Sequence, residues 1–368
     1  MSNDIATPGG IPFRRFVGML PHARLAVLRQ LPRFGQPGRY NRVDTVASLL
    51  ERLLPRLRRR SSASVTDIPV SAIQELLGDN RALAEACGRL DLQGLFVIGA
   101  ARTGTTILQN ALNDSDDVFL LGEPALHHDA GGADFATRYN AMHRAWHNQE
   151  NKSSHCPGFF EGDASWYAYL LHLAGLYRRV GAKLVINPEY ADAETSRIFD
   201  FYSRYFYRSH YVFTFRNPLD MVMSVRGLAA WNGAEGASHV TILRCFYLVL
   251  QLYLRMLRNL PHVSAVFHES VDADTFKALG NSLGVDLNGA AAYYDSNKVR
   301  HHALTELPEA WRGVMQQAVA VYEDLRGEVQ AGGALLQLEQ NSRHIDERHY
   351  TVLGKLWRRS ELLLDALE

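Results

Sequence analysis

The chain has 368 residues, 47% hydrophobic and 21% charged, with 39 basic and 39 acidic side chains and a formal net charge of zero. This length and apolar content allow a full core in one large domain with appendages, and the charge balance excludes a generally basic nucleic-acid binder while permitting a local basic groove. Cys87, Cys156 and Cys245 are too few and too scattered for a disulfide framework or a zinc site, and read as buried or free thiols.

Residues 1–90 read as a helical extension, with an amphipathic stretch from Val43 to Arg60 and a second helix from Ser71 to Leu90 around a Ser-rich break. The basic run Arg56 to Arg60 reads as a solvated face. The opening MSNDIATPGGIPFRR lacks a charged-then-apolar signal pattern, so a soluble, cytoplasmic protein is expected. Across residues 91–330, apolar β-type runs alternate with helical stretches, which predicts an α/β domain with a central parallel sheet flanked by helices. The apolar segment Val240 to Leu260 is interrupted by Arg244, Arg255 and Arg258 and is expected to fall short of a membrane span and to pack in the core. Residues 331–368, set off by Ala331-Gly-Gly-Ala, read as a helical segment that either packs on the core or makes a homodimer.

Within the central domain, Leu95 to Thr106 reads LFVIGAARTGTT: a strand that breaks into a small-residue loop before a helix. Gly99 and Gly104 stand at the two glycine positions of G-x-x-x-x-G-K-[ST], so backbone N–H groups of Arg102, Thr103, Gly104, Thr105 and Thr106 can wrap an anion at a helix start. The lysine of that pattern is missing: Thr105 takes its place, Thr106 fills the hydroxyl position, and the nearest cation is Arg102. A nucleotide kinase needs that lysine and Mg²⁺ on its phosphates, so this loop suits less negative cargo. The following helix should bury Ile107, Leu108, Ala111 and Leu112.

A second strand–turn–helix unit runs from Tyr211 to Trp231. Arg216 emerges at the strand end, Asn217 suits a cap, Pro218 the first helical turn and Asp220 the positive helix start. Ser224 follows two turns on, where its hydroxyl and the Arg216 guanidinium can clamp a monophosphate. A cradle and a clamp imply a ligand with phosphate-like groups at both ends.

On these two motifs the chain resembles the sulfotransferase family, whose donor, 3′-phosphoadenosine 5′-phosphosulfate (PAPS), has such ends. Arg102-Thr103-Gly104-Thr105-Thr106 matches the family's 5′-phosphosulfate loop, and Arg216 with Ser224 in R-N-P-x-D-x-x-x-S matches its 3′-phosphate motif. Val263-Ser-Ala-Val-Phe-His-Glu-Ser-Val, followed by Leu283-Gly284-Val285, looks like the family's strand into a "YEDL" turn and later "LGV". The resemblance covers roughly Leu95 to Val285 and is nearest to carbohydrate sulfotransferases. It implies a P-loop-like sheet and metal-free transfer of a sulfuryl group from PAPS to a hydroxyl of a carbohydrate or other small-molecule acceptor.

The acceptor hydroxyl needs a general base, for which Glu123 in VFLLGEPALHH is the candidate, at the end of the next strand; His128 and His127 are the alternatives. Arg102 replaces the lysine that many cytosolic members use on the leaving group, and can help only by charge and hydrogen bonding. Ile107 replaces their adenine-contacting tryptophan. Candidate acceptor contacts are Trp146, Trp166, Tyr139, Tyr167, Tyr169 and histidines 143, 147, 155 and 172, although such aromatics often only pack a subdomain. Lys298 and Arg300 resemble a basic loop that closes over the donor. Two other readings compete: a degenerate P-loop nucleotide kinase, which would need Mg²⁺ and a compensating lysine not visible in the sequence, and a PAP-binding module that transfers nothing.

Overall fold

A computed structural model describes residues 94–128, 170, 173–231, 236–294, 299–331 and 347–367. The expected helices of residues 1–90, Cys87, Cys156, Lys298 and all the aromatic and histidine acceptor candidates of residues 139–172 lie outside the described residues.

Five parallel strands form the sheet: β1 (Gly94–Ala100), β2 (Val118–Gly122), β3 (Arg179–Ile186), β4 (His210–Phe215) and β5 (His262–Phe267). Their spatial order is β2-β3-β1-β4-β5. The chain leaves β1 for one edge, returns through β3 and crosses to the far side at β4. The loops after β1 and β4 therefore part at the carboxyl ends of the central strands, where open α/β sheets bind ligands.

Helices cover both faces, as the alternation of apolar runs and helical stretches predicts. They are α1 (Thr105–Asn113), α2 (Ala191–Tyr205), α3 (Pro218–Trp231), α4 (His239–Asn259), α5 (Ala273–Leu283), α6 (Glu309–Ala331) and α7 (Glu347–Asp365). β1 shows why both faces are needed. Phe96, Ile98 and Ala100 enter a core shared with α2, α4 and α6, while Leu95 and Val97 enter a second core with Leu108 of α1 and Phe276 and Leu279 of α5. Phe96 packs among Tyr202, Phe206 and Tyr211 with ring centroids 4.7, 4.9 and 5.6 Å away.

Two expectations change. Ile107 is 37% exposed while Leu108, Ala111 and Leu112 are buried, because the buried stripe of α1 starts from Thr105 and continues through Gln109. α4, capped by the Ser238 hydroxyl accepting from the Thr241 N–H, has a mean hydropathy of 1.5 over its most apolar window. By length and composition it is thus long and apolar enough to cross a membrane, contrary to the sequence reading. Its apolar side chains pack instead: Ile242, Phe246, Leu250 and Tyr253 are buried against the sheet and its neighbours.

α7 lies on α4 and α6. The buried Ser360 hydroxyl accepts from Gln251 Nε2 at 3.1 Å, Leu356 is buried, and Arg359 pairs with Asp324 of α6.

Candidate active site

The loop after β1 is held from below by threonines. Thr103 Oγ1 donates to the Ala100 carbonyl at 2.7 Å and has spent its only hydrogen there, so at its 2.8 Å contact with Thr214 Oγ1 the Thr214 hydroxyl donates. A Cβ on Gly99 would lie 2.2 Å from Thr214 Oγ1 and 2.5 Å from Thr103 Oγ1, so glycine is needed there for this packing. Above it the backbone turns left-handed twice, at Arg102 (φ 72°) and Gly104 (φ 92°). Gly104 opens α1 with no side-chain cap and no acid in the first turn. The first N–H groups of α1 therefore keep both their donors and the positive end of the dipole for a ligand.

Arg216 leaves the end of β4 and is 8% exposed. Its two terminal nitrogens donate to the carbonyls of Arg102 (3.3 Å) and Arg300 (3.2 Å), and its Nε is buried without a partner. Ser224 of α3 accepts from Arg102 Nε at 3.1 Å. The expected clamp is thus rearranged: Ser224 meets the cradle arginine, while Arg216 lies behind it. Burial, and then the neighbouring Arg216 charge, hold the Arg102 pKa below its usual value.

The turn after β4 is fixed by carboxylates whose partners lie elsewhere than these arginines. Asn217 Oδ1 accepts from Leu219 N, and the Asn217 N–H donates to Glu269 Oε1 at 2.7 Å, whose other oxygen accepts from Tyr322 OH at 2.6 Å. Asp220 accepts from the His302 N–H at 2.7 Å and contacts His301 Nδ1 at 3.3 Å, which anchors the segment that carries Arg300 over Arg216.

Glu123 is the first residue after β2, in the left-handed region (φ 50°), with Ala125 also left-handed (φ 47°). For non-glycine residues this conformation costs roughly 1–2 kcal/mol. Its N–H donates to the Lys183 carbonyl at 3.1 Å, which turns the carboxylate back over β3. There Glu123 Oε1 lies 2.8 Å from Lys183 Nζ, and the same ammonium donates to Thr106 Oγ1 at 3.0 Å. The Lys183 side chain is fully buried, whereas that of Glu123 is 30% exposed.

Lys183 went unrecognised as a site residue in the sequence, where it opens an apolar run. The structure brings from β3 the lysine that the loop itself lacks, so a lysine not visible in the sequence motif does stand beside Thr106. The available signal was a lysine in the middle of RVGAKLVI, a strand that is uncharged from Val180 onward apart from it.

His127 and His128 form a 3₁₀ turn after Glu123 (Leu126–His128), and each Nε2 lies 2.6 Å from a different oxygen of Glu194 on α2. Burial lowers the His127 pKa despite Glu194. Burial opposes ionisation of Glu194, but the bonds and charges of the two histidines bring its pKa below the usual value. The three side chains are close enough to be considered as metal ligands. A tetrahedral ion with bonds of 2.0–2.1 Å holds its ligand atoms about 3.3 Å apart, so the 2.6 Å contacts are hydrogen bonds that clip this turn to α2.

Residues 94–272 match the family described as "Sulfotransferase family". Among solved structures the chain is similar to the sulfotransferase domain of the Synechococcus PCC 7002 olefin synthase, with 17% identity and a TM-score of 0.39 over 62% of this chain and 94% of that one. No curated protein matches the chain.

Proposed function

Residues 94–272 belong to the sulfotransferase family, and from that premise we propose that the protein transfers a sulfuryl group from PAPS to a hydroxyl of a carbohydrate or another small-molecule acceptor. The observation that carries this reading is the linked set Glu123–Lys183–Thr106, which joins a carboxylate at the end of β2 to the first turn of α1.

The chain's residues fit the two anionic ends of this donor. The uncapped start of α1 and the left-handed Gly104 receive the 5′-phosphosulfate. At the other end, Arg216 is a buried cation whose Nε has no partner and whose terminal nitrogens rest on neutral carbonyls at 3.2–3.3 Å. Charge-assisted bonds to phosphate run near 2.7–2.9 Å, so phosphate oxygens are the better partners. Ser224, reached through Arg102, adds a hydroxyl beside them.

In the reaction Glu123 takes the acceptor's hydroxyl proton as the new oxygen–sulfur bond forms and the bond from sulfur to the bridging phosphate oxygen breaks. The electron pair of the broken bond stays on the nucleotide's 5′-phosphate. Arg102, the α1 N–H groups and the Lys183–Thr106 pair supply positive charge and donors where that negative charge grows. Lys183 also fixes the Glu123 carboxylate, leaving its second oxygen for the acceptor. His128, held by Glu194, lines the same turn.

Turnover of radiolabelled PAPS with a panel of alcohols and sugars, with and without EDTA, tests the reading. Sulfated product formed equally in EDTA is the expected result. Activity restored only by Mg²⁺ and a nucleoside triphosphate would replace it with the kinase reading. Tight PAP binding without transfer to any acceptor would favour the nonenzymatic module.

A further inference from the structure

His268 stands directly after β5, outside both motifs that resemble the family's donor loops, yet it lies against the cradle. A Cβ built on Gly104 would come within 2.4 Å of His268 Nδ1, so the imidazole fills the space that the glycine leaves open. Nδ1 is buried and has no hydrogen-bond partner, in the same neighbourhood as the orphaned Nε of Arg216. Two buried polar atoms without protein partners beside an uncapped helix start make a place suited to an anion's oxygens.

The charges around the ring explain its state before a ligand arrives. Arg102 faces it from the loop after β1, Arg216 from the end of β4, and His301 from the segment anchored on Asp220; Tyr294 tilts against it at 6.0 Å. Glu269 is the acid acting on the ring, but its two oxygens already accept from the Asn217 N–H and Tyr322 OH. Burial first, and then Arg216, lower the His268 pKa, with Glu269 opposing them only in part. The ligand-free imidazole is therefore neutral near pH 7.

We propose that His268 is a further binding residue for the donor's anionic groups, between the cradle and Arg216, and that its imidazole takes up a proton from solvent when the nucleotide binds. The proposal rests on the PAPS reading above. An added anion reverses the sign of the local field, so the protonated ring becomes the favoured form and Nδ1–H gains an acceptor. Affinity for the nucleotide is then highest below the ligand-free pKa of His268, falls as pH rises toward the ligand-bound pKa, and levels off above it.

The test follows the His268 ring resonance in ¹³C-histidine-labelled protein, assigned by its loss in His268→Gln, or in His268→Asn should the first variant not fold. Without ligand the titration midpoint should lie below the ordinary histidine value of 6.5; saturating PAP should raise it by about one unit or more. In calorimetry, wild type should bind PAP roughly tenfold more tightly than His268→Gln at pH 6, and the ratio should shrink toward one at pH 9. A midpoint that PAP leaves unmoved, or an affinity ratio independent of pH, overturns the proposal. If PAP does not bind at all, the donor reading fails, and inorganic pyrophosphate then decides His268 separately. A pyrophosphate-driven rise in its midpoint keeps the anion role, and no rise removes it.

Discussion

On the β2–β3 side of the site, Glu123 and Lys183 form an ion pair 2.8 Å apart, and the ammonium is fully buried. On the β1–β4 side, Arg102 and Arg216 sit together with no carboxylate paired to either among the described residues, and Arg216 keeps an orphaned Nε. The nearby acids are occupied elsewhere: Glu269 by Asn217 and Tyr322, Asp220 by the segment of His301 and His302. Charge is thus balanced beside the carboxylate proposed as the base and left unbalanced where the donor's anionic groups are proposed to bind. Burying two like charges together is costly without a counter-charge, a cost that a polyanionic ligand of the proposed kind would offset.

The sharpest way to break this contrast is Glu123→Gln. It keeps the size of the side chain but removes its basicity, so kcat should fall about 10²- to 10⁴-fold with PAP affinity near wild type. Single-turnover kinetics beside calorimetry would read both, and undiminished turnover together with a collapse in His128→Ala would move the base to His128.

A smaller effect is expected from Arg216→Ala. PAP affinity should drop about ten- to a hundredfold and the preference for PAP over AMP should largely vanish, since a charge-assisted bond contributes roughly 1.5–3 kcal/mol. Equal affinities for PAP and AMP in the wild-type protein would show that the unbalanced region does not hold a 3′-phosphate.

Ser224→Ala removes a neutral acceptor from Arg102 and should weaken PAP binding only several-fold, in line with about 0.5–1.5 kcal/mol for such a bond. Loss as large as that of Arg216→Ala would mean that Ser224 chiefly orients Arg102 and that the arginine's position matters more than the hydroxyl.

The smallest expected effect concerns stability rather than chemistry. His127 has a folded-state pKa below its unfolded value, so the unfolded chain gains protons first as pH falls, and stability present above about 6.5 is lost progressively below it. Glu194, also lowered, adds a loss at more acid pH, through and below the ordinary carboxylate range. Thermal melts from pH 8 to 5 should show a falling Tm that flattens in His127→Gln. An equal fall in the variant would assign the acid sensitivity to other groups.

Much of this architecture was legible in the chain. The alternation of β1 side chains between two cores and the switch from strand to helix at Gly104 and at Pro218 follow from local rules of side-chain direction, glycine conformation and helix starts. The Ile107 face was misread because Thr105, although polar, is buried against Gly99 and shifts the stripe by one position. Lys183 was overlooked because its meaning lies in its neighbours: a lysine in an apolar strand shows its role only when register sets it opposite Gly122.

The sequence by itself determined the parallel α/β domain and the order of its two strand–loop–helix motifs, because glycine positions, apolar periodicity and helix-start chemistry act over a few residues. Tertiary structure alone decided that Arg102 takes Ser224, that Lys183 joins Glu123 to Thr106, that Glu194 holds His127 and His128, and that His268 lies against Gly104. Each of these contacts joins residues tens to more than a hundred positions apart. Their partners are fixed by strand order and register, which emerge only when the whole sheet assembles.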